Sequence, residues 1–367
     1  MESILLFVVG IGVLVYSAEK LIGYLVGVAS RWTISLFLVA VVFTGIEFDD
    51  LAFGVVLNME DLSEVALGTV IGTTIAMTGI VLALAAIIAP CRVDVPKDYL
   101  VLFVAAPLLM LAFALTGFLT VSAAVVLVLL FVGFVGWIGY REYASRRPVF
   151  RNAEVYEQLE KVGAGAGGRP GGTATLDTPP SGGGSGRGGS RHFDLPPDLR
   201  VDQGFLRARA HSPGVALTLA VLALAGLVIG AVAAGEGTGG IIDTFDIDGT
   251  VFGVTVATLA LTLEDIFLTV EPSRRGAPEI GIANVIGSVV FSVTGKLGII
   301  LLAGGAILVD ADVLAWHLPV LIVMTAISAG FLATGHLRRW HGFVLLGLYV
   351  AYFVISLTVF GGVPVGD

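Results

Sequence analysis

The sequence predicts an all-α membrane protein whose ten transmembrane helices form two inverted five-helix repeats. Three observations predict it. Of 367 residues, 56% are hydrophobic and only 13% charged, roughly half the charged share of a soluble domain, and mean hydropathy is +0.96. Apolar runs long enough to cross a bilayer, about 20 residues each, recur along the whole chain, so a removable leader or a single anchor does not account for the composition. Two stretches, 44–74 and 259–289, repeat one another at a constant offset of 215 residues.

Runs bounded by charge, Gly or Pro place the ten spans near 4–28, 33–57, 65–89, 98–117, 120–140, 214–234, 250–271, 279–303, 312–334 and 340–361. The first carries Lys20 beside Glu19 near its end, the place of a snorkelling or paired lysine. The second holds Glu47, Asp49 and Asp50, and the seventh Glu264 and Asp265. Glu64 and Glu279 open the third and eighth, where a carboxylate meets the helix dipole. Three segments follow: a first repeat over 1–140, a linker over 141–212 and a second repeat over 213–367. The linker is Gly/Pro/Ser-rich, a composition that buries no core and predicts disorder. Its Gly163, Gly165 and Gly168 spell GxGxxG, but no strand precedes them and no helix follows, so they read as tether.

Charge fixes an expected orientation. With the N-terminus outside, one face receives 18 of the 20 Lys and Arg, including 11 in the linker, and the opposite face receives none. By the positive-inside rule the linker is cytoplasmic, both termini are external, and the protein is a multi-pass component of the cell membrane. The outer turns are acidic, with Glu60, Asp61, Asp243, Asp246, Asp248, Asp310 and Asp312. A net charge of −9 argues against nucleic acid as a partner, leaving the lipid bilayer and inorganic cations. Cys91 alone makes no disulfide or CxxC site, and the five histidines fall in loops or at span ends. No Walker A sequence or catalytic triad supports an ATP-driven pump or another enzyme.

The repeat carries the chemistry. At the 215-residue offset Asp50 falls on Asp265, Glu64 on Glu279, Val70-Ile71-Gly72 on Val285-Ile286-Gly287, and Thr73 on Ser288. Each half holds an odd number of spans, so the second copy sits upside down relative to the first, as in secondary transporters. The pairs GIEFDD (45–50) with GTVIGTT (68–74), and ALTLED (260–265) with ANVIGSV (283–289), keep a spacing of 18 residues from acid to hydroxyl motif.

This pattern resembles the sodium/calcium exchanger membrane family of the cation/calcium antiporter superfamily, whose repeats carry GTSLPE and GNVIGSN. The resemblance covers both halves and leaves the linker out. It implies a cation antiporter in which Asp50 and Asp265 take the places of the repeat glutamates, and Thr73 and Ser288 those of hydroxyl ligands. Asp49 and Glu264 replace the family prolines, Ile46-Glu47 and Leu261-Thr262 replace Thr-Ser, and Met77 and Ser292 stand where Asn or Asp is common.

Each carboxylate in mid-span costs about 2.5–3.5 kcal/mol on insertion scales, so something cationic must face the five acids. Ca²⁺ takes six to eight oxygens. Glu47 and Asp50 are i,i+3 neighbours if helical, and Thr258, Thr262, Asp265 and Thr269 form a stripe on the other repeat, as do Thr69 with Thr73 and Asn284 with Ser288 and Ser292. The expected ion-site residues are Asp50, Asp265, Glu47, Thr262, Thr73, Ser288, Glu264, Asp49 and Ser292. Backbone bonding competes for each hydroxyl, and a proton relay competes with ligation for Asp49 and Glu264. Gly68–Gly72 and Ala283–Gly287 are small-residue pairs suited to close packing. Lys296 is a possible coupling residue: it either neutralises an acid of the Asp265 cluster as a tethered cation or reaches the external interface.

The expected activity is exchange of transported Ca²⁺, or a related cation, against Na⁺ or H⁺ by alternating access, with no permanently bound cofactor. A non-transporting scaffold or sensor plugged by Lys296 is the alternative. Intramembrane aspartyl proteolysis also needs two membrane aspartates, but the chain lacks its GxGD signature.

Overall fold

A computed structural model describes residues 2–29, 46–145, 213–274 and 278–360. The expected linker beyond residue 145 and the first part of the second span, 33–45, lie outside the described residues. Helix α1 is Glu2–Ala29, α2 Phe48–Met59, α3 Ser63–Ile88, α4 Lys97–Ala114 and α5 Val121–Ser145. In the second half α6 is Pro213–Phe245, and α7 continues from Gly249–Phe252 through Gly253–Ala257 to Thr258–Arg274. Helix α8 continues from Pro278–Phe291 through Ser292–Lys296 to Leu297–Gly304, α9 is Val313–Ala333 and α10 Arg339–Phe360. Among the described residues nine of these are long and apolar enough to cross a membrane. The fold is the all-α membrane bundle of inverted repeats that the sequence predicts.

Helices apolar on all sides are either central or lipid-facing, and burial separates the two. In α3 and α8, 78% and 83% of the spanning window is inside the protein, against 17% in α5 and 22% in α10. The motif helices therefore form the centre, and the last helix of each repeat faces lipid.

Local features recur in mirrored pairs. A π-helical turn at Met77–Val81 in α3 has its counterpart 215 residues later at Ser292–Lys296 in α8; such turns widen the backbone ladder and often mark functional positions. Helices α4 and α9 both stop at a Thr-Gly turn in which Gly117 and Gly335 take positive φ (78° and 72°). Thr116 Oγ1 donates to the carbonyls of Phe113 and Phe118, and Thr334 Oγ1 to those of Phe331 and His336. Gly117 ends α4 short of the expected limit because the left-handed turn cannot continue a helix. Two-residue strands follow the same symmetry. Strand β1, Cys91–Arg92, pairs antiparallel with β4, His336–Leu337, while β2, Phe118–Leu119, pairs with β3, Ile307–Leu308.

Three boundaries differ from the sequence reading. Helix α5 runs on to Ser145, into the segment assigned to the linker. Helix α6 runs to Phe245, past the glycines expected to end it at 234. Those glycines are packing surface, since a Cβ on Gly237 would lie 2.4 Å from the Phe7 nitrogen, and one on Gly240 2.4 Å from Ser3 Oγ. Contacts of Ser17 with Gly226, Gly10 with Ala234 and Ser3 with Gly240 make α1 and α6 an antiparallel pair. The third difference is at Ile46 and Glu47, which are not helical, so that α2 opens at Phe48 within the expected second span.

Candidate functional site

Helix α2 starts beside the site. Glu47 is its N-cap with ψ 85°, outside helical range, and its carbonyl accepts from Leu51 N at 2.9 Å. Glu47 and Asp50 are thus not i,i+3 neighbours on one helical face, which corrects the expectation from a continuous span. The physical reason lies across the repeat boundary: three donors of α8 converge on the Glu47 carboxylate. Ser288 Oγ donates to Oε1, Ser292 Oγ to Oε2 at 3.0 Å and Lys296 Nζ to Oε2 at 2.5 Å. The helix break lets Glu47 reach them while Asp50, in the first turn, comes to Lys296 from the helix.

Lys296 is the hub. Its ammonium donates to Glu47 Oε2 at 2.5 Å, Asp50 Oδ2 at 2.7 Å and Thr73 Oγ1 at 3.1 Å, which uses all three N–H donors of a lysine. It is 0% exposed, and Glu47 and Asp50 are 6% and 3% exposed. Lys296 therefore does not reach the interface, and its hydrogen-bonded acids are those of the first repeat rather than the Asp265 cluster. Among the described residues no three acidic, His or Cys side chains are arranged as a group that could hold a metal ion; a lysine stands between two of the acids instead.

The second repeat's residues are differently placed. Asp265 is buried, as is Asp49 of the first repeat. Glu264 is half-buried, and its Oε2 is enclosed without a partner, as is Asn284 Oδ1. Asn284 Nδ2 reaches Thr269 Oγ1 at 3.4 Å. Thr262 is buried, but its hydroxyl donates to the Thr258 carbonyl at 2.7 Å; Thr258 and Thr69 likewise bond carbonyls of their own helices. Thr73 Oγ1 donates to Val70 O at 3.5 Å and accepts from Lys296 Nζ at 3.1 Å.

Small residues allow this assembly. A Cβ on Gly72 would lie 2.1 Å from Thr258 Oγ1 and 2.6 Å from Val254 Cα; one on Gly68 would meet Thr250 O at 2.5 Å. Helices α3 and α7 therefore cross almost backbone to backbone, as the Gly68–Gly72 pair anticipates. Asn58 Nδ2, which sequence reading missed, donates to Ile300 O at 3.0 Å and Gly305 O at 3.3 Å and ties α2 to α8. Lys20 sits 3.2 Å from Glu19, the paired role expected of it. Glu64 is exposed and makes no cap bond, so it acts on the start of α3 through charge alone. His317 is buried within α9 rather than at a solvent-facing span end, with Nδ1 2.8 Å from the Tyr352 hydroxyl.

A helical membrane bundle built of inverted repeats, with acids and hydroxyls buried where the repeats meet, has the fold of a secondary transporter. The chain belongs to the sodium/calcium exchanger protein family, whose profile matches residues 2–140 and 215–358. Over 140 residues it is 31% identical to sodium/calcium exchanger MaX1 of Methanosarcina acetivorans, covering 38% of this chain and 40% of that one. It is 25% identical over 134 residues to the uncharacterized membrane protein MJ0091 of Methanocaldococcus jannaschii, covering 36% of this chain and 43% of that one. The match thus spans about two fifths of the length of these curated relatives. The fold is similar to that of the sodium-calcium exchanger NCX_Mj soaked with 100 mM Na⁺ and 10 mM Sr²⁺, with TM-score 0.57, 18% identity and 98% of each chain covered.

Proposed function

We propose that the chain is a secondary active antiporter that exchanges Ca²⁺, or a related cation, against Na⁺ or H⁺ by alternating access. The observation that carries this reading is the pair Asp50 and Asp265. Both are buried, they lie 215 residues apart at matching positions of the two repeats, and they sit in a member of the exchanger family. A divalent ion in a low-dielectric cavity needs anionic oxygens from both sides. Glu47, Asp49 and Thr73 supply further oxygens from the first repeat, and Thr262, Glu264, Ser288 and Ser292 from the second. In this reading the transported cations are substrates and no cofactor stays bound. The two repeats, 1–140 and 213–367, rock against one another. The linker at 141–212 is cytoplasmic, with both termini outside the cell.

The test is ⁴⁵Ca²⁺ uptake into proteoliposomes holding the purified chain, with an opposed Na⁺ gradient or pH gradient imposed. Uptake that needs one of those gradients supports the reading. Cation-independent background under both supports a non-transporting scaffold in which Lys296 plugs the site.

A further inference from the structure

Lys296 has no counterpart in the other repeat. At the 215-residue offset it falls on Val81, and Glu47 falls on Thr262, whereas Asp50 matches Asp265 and Thr73 matches Ser288. By sequence offset, the positions matching Glu47, Asp50, Thr73 and Lys296 are thus Thr262, Asp265, Ser288 and Val81. Aspartate and hydroxyl recur in both repeats, whereas the acid Glu47 and the base Lys296 are added on one side alone. That added pair is in direct contact, Nζ to Oε2 at 2.5 Å, and the two residues come from opposite repeats.

We propose that Lys296 is a resident cation that fills the place of one exchangeable monovalent ion, so that the Glu47–Lys296 pair adds no net charge to the site. The proposal rests on the cation-antiporter reading and extends it to ion number. The geometry is that of an ion site already filled. The ammonium lies 2.5–3.1 Å from two carboxylates and a hydroxyl, its three donors are used, and it is wholly removed from solvent. A free Na⁺ would take the same oxygens but would come and go, whereas the lysine is tied to α8. With Lys296 present, the Glu47–Asp50–Lys296 trio carries one net negative charge. Without the lysine its two carboxylates carry two, and electroneutrality in a low-dielectric interior calls in one more cation.

The test is Na⁺ linkage. Thermal unfolding of the full-length chain in detergent is followed as Na⁺ replaces choline at constant ionic strength, and the slope of stability against log[Na⁺] counts Na⁺ bound by the folded state. Relative to wild type, Lys296→Met should bind about one more Na⁺ and Glu47→Gln about one fewer, while Glu47→Gln/Lys296→Met should return to the wild-type slope. A purely structural lysine would change unfolding temperatures without this ordering. A wild-type slope in Lys296→Met overturns the proposal. If that variant yields no folded protein in either salt, a wild-type slope in Glu47→Gln overturns it instead. Wild-type ⁴⁵Ca²⁺ uptake, measured alongside, keeps the outcomes distinct: exchange with unordered slopes defeats this inference alone, and absence of exchange defeats the antiporter reading.

Discussion

Removing Glu47 should have opposite effects on stability depending on whether Lys296 is present. In the native site Glu47 and Asp50 share one ammonium at 2.5 and 2.7 Å, so the trio carries one net negative charge. Lys296→Met leaves both carboxylates buried without a counter-ion, and breaking a buried ion pair from one side costs about 3–5 kcal/mol. Glu47→Gln leaves Lys296 bonded to Asp50 and Thr73, so it loses a charge-assisted bond worth about 1.5–3 kcal/mol without stranding a like-charged pair. Adding Glu47→Gln to Lys296→Met removes one of the two stranded charges and should restore about 1–3 kcal/mol, which makes the coupling between the residues larger than either exposed pairs or neutral contacts supply. The measurement is a double-mutant cycle on unfolding free energies in mixed micelles, in choline buffer free of Na⁺ and Ca²⁺. Equal destabilisation by Glu47→Gln in both backgrounds would mean that the two side chains do not compensate one another.

Asp50→Asn and Asp265→Asn should each abolish ⁴⁵Ca²⁺ uptake while leaving a folded, monodisperse protein; wild-type flux in either removes that residue from the ion site. Gly72→Ala places a methyl carbon 2.1 Å from Thr258 Oγ1 and should cost about 1–3 kcal/mol by overpacking, read as a lowered unfolding temperature, with Gly330→Ala, where a Cβ has open space, as the neutral control. Single cysteines placed between residues 150 and 200 of a Cys91→Ser background should react with membrane-impermeant maleimide only after the cells are opened; labelling in intact cells would reverse the orientation.

Much of the architecture is legible because a bilayer imposes length and hydropathy on every span, and the 215-residue offset makes the second half a check on the first. What escapes is set by contacts between distant segments. The break before Phe48 carries no proline to mark it, and depends on Ser288, Ser292 and Lys296 drawing Glu47 across from a helix more than 240 residues away. The glycines at 237 and 240 read as a terminator until α1 is laid against them, and Gly235 until α2 is. The two-residue strands pair across the repeats and leave no local pattern. Lys296 is conspicuous as a lone base in an apolar span, yet its motif places it beside the Asp265 cluster. Only the inverted packing directs it to Glu47 and Asp50. The hydroxyl stripes are present as read, but Thr69, Thr258 and Thr262 bond carbonyls of their own helices, since that acceptor is always within reach in a membrane helix.

Cation exchange across a membrane would be seen as ⁴⁵Ca²⁺ uptake by proteoliposomes loaded with Na⁺ and diluted into Na⁺-free buffer, repeated with a pH gradient in place of the Na⁺ gradient. The proposed exchange predicts accumulation under at least one opposed gradient, collapse when an ionophore dissipates it, and none in Asp50→Asn or Asp265→Asn vesicles. Uptake at the level of protein-free liposomes under both gradients would contradict it.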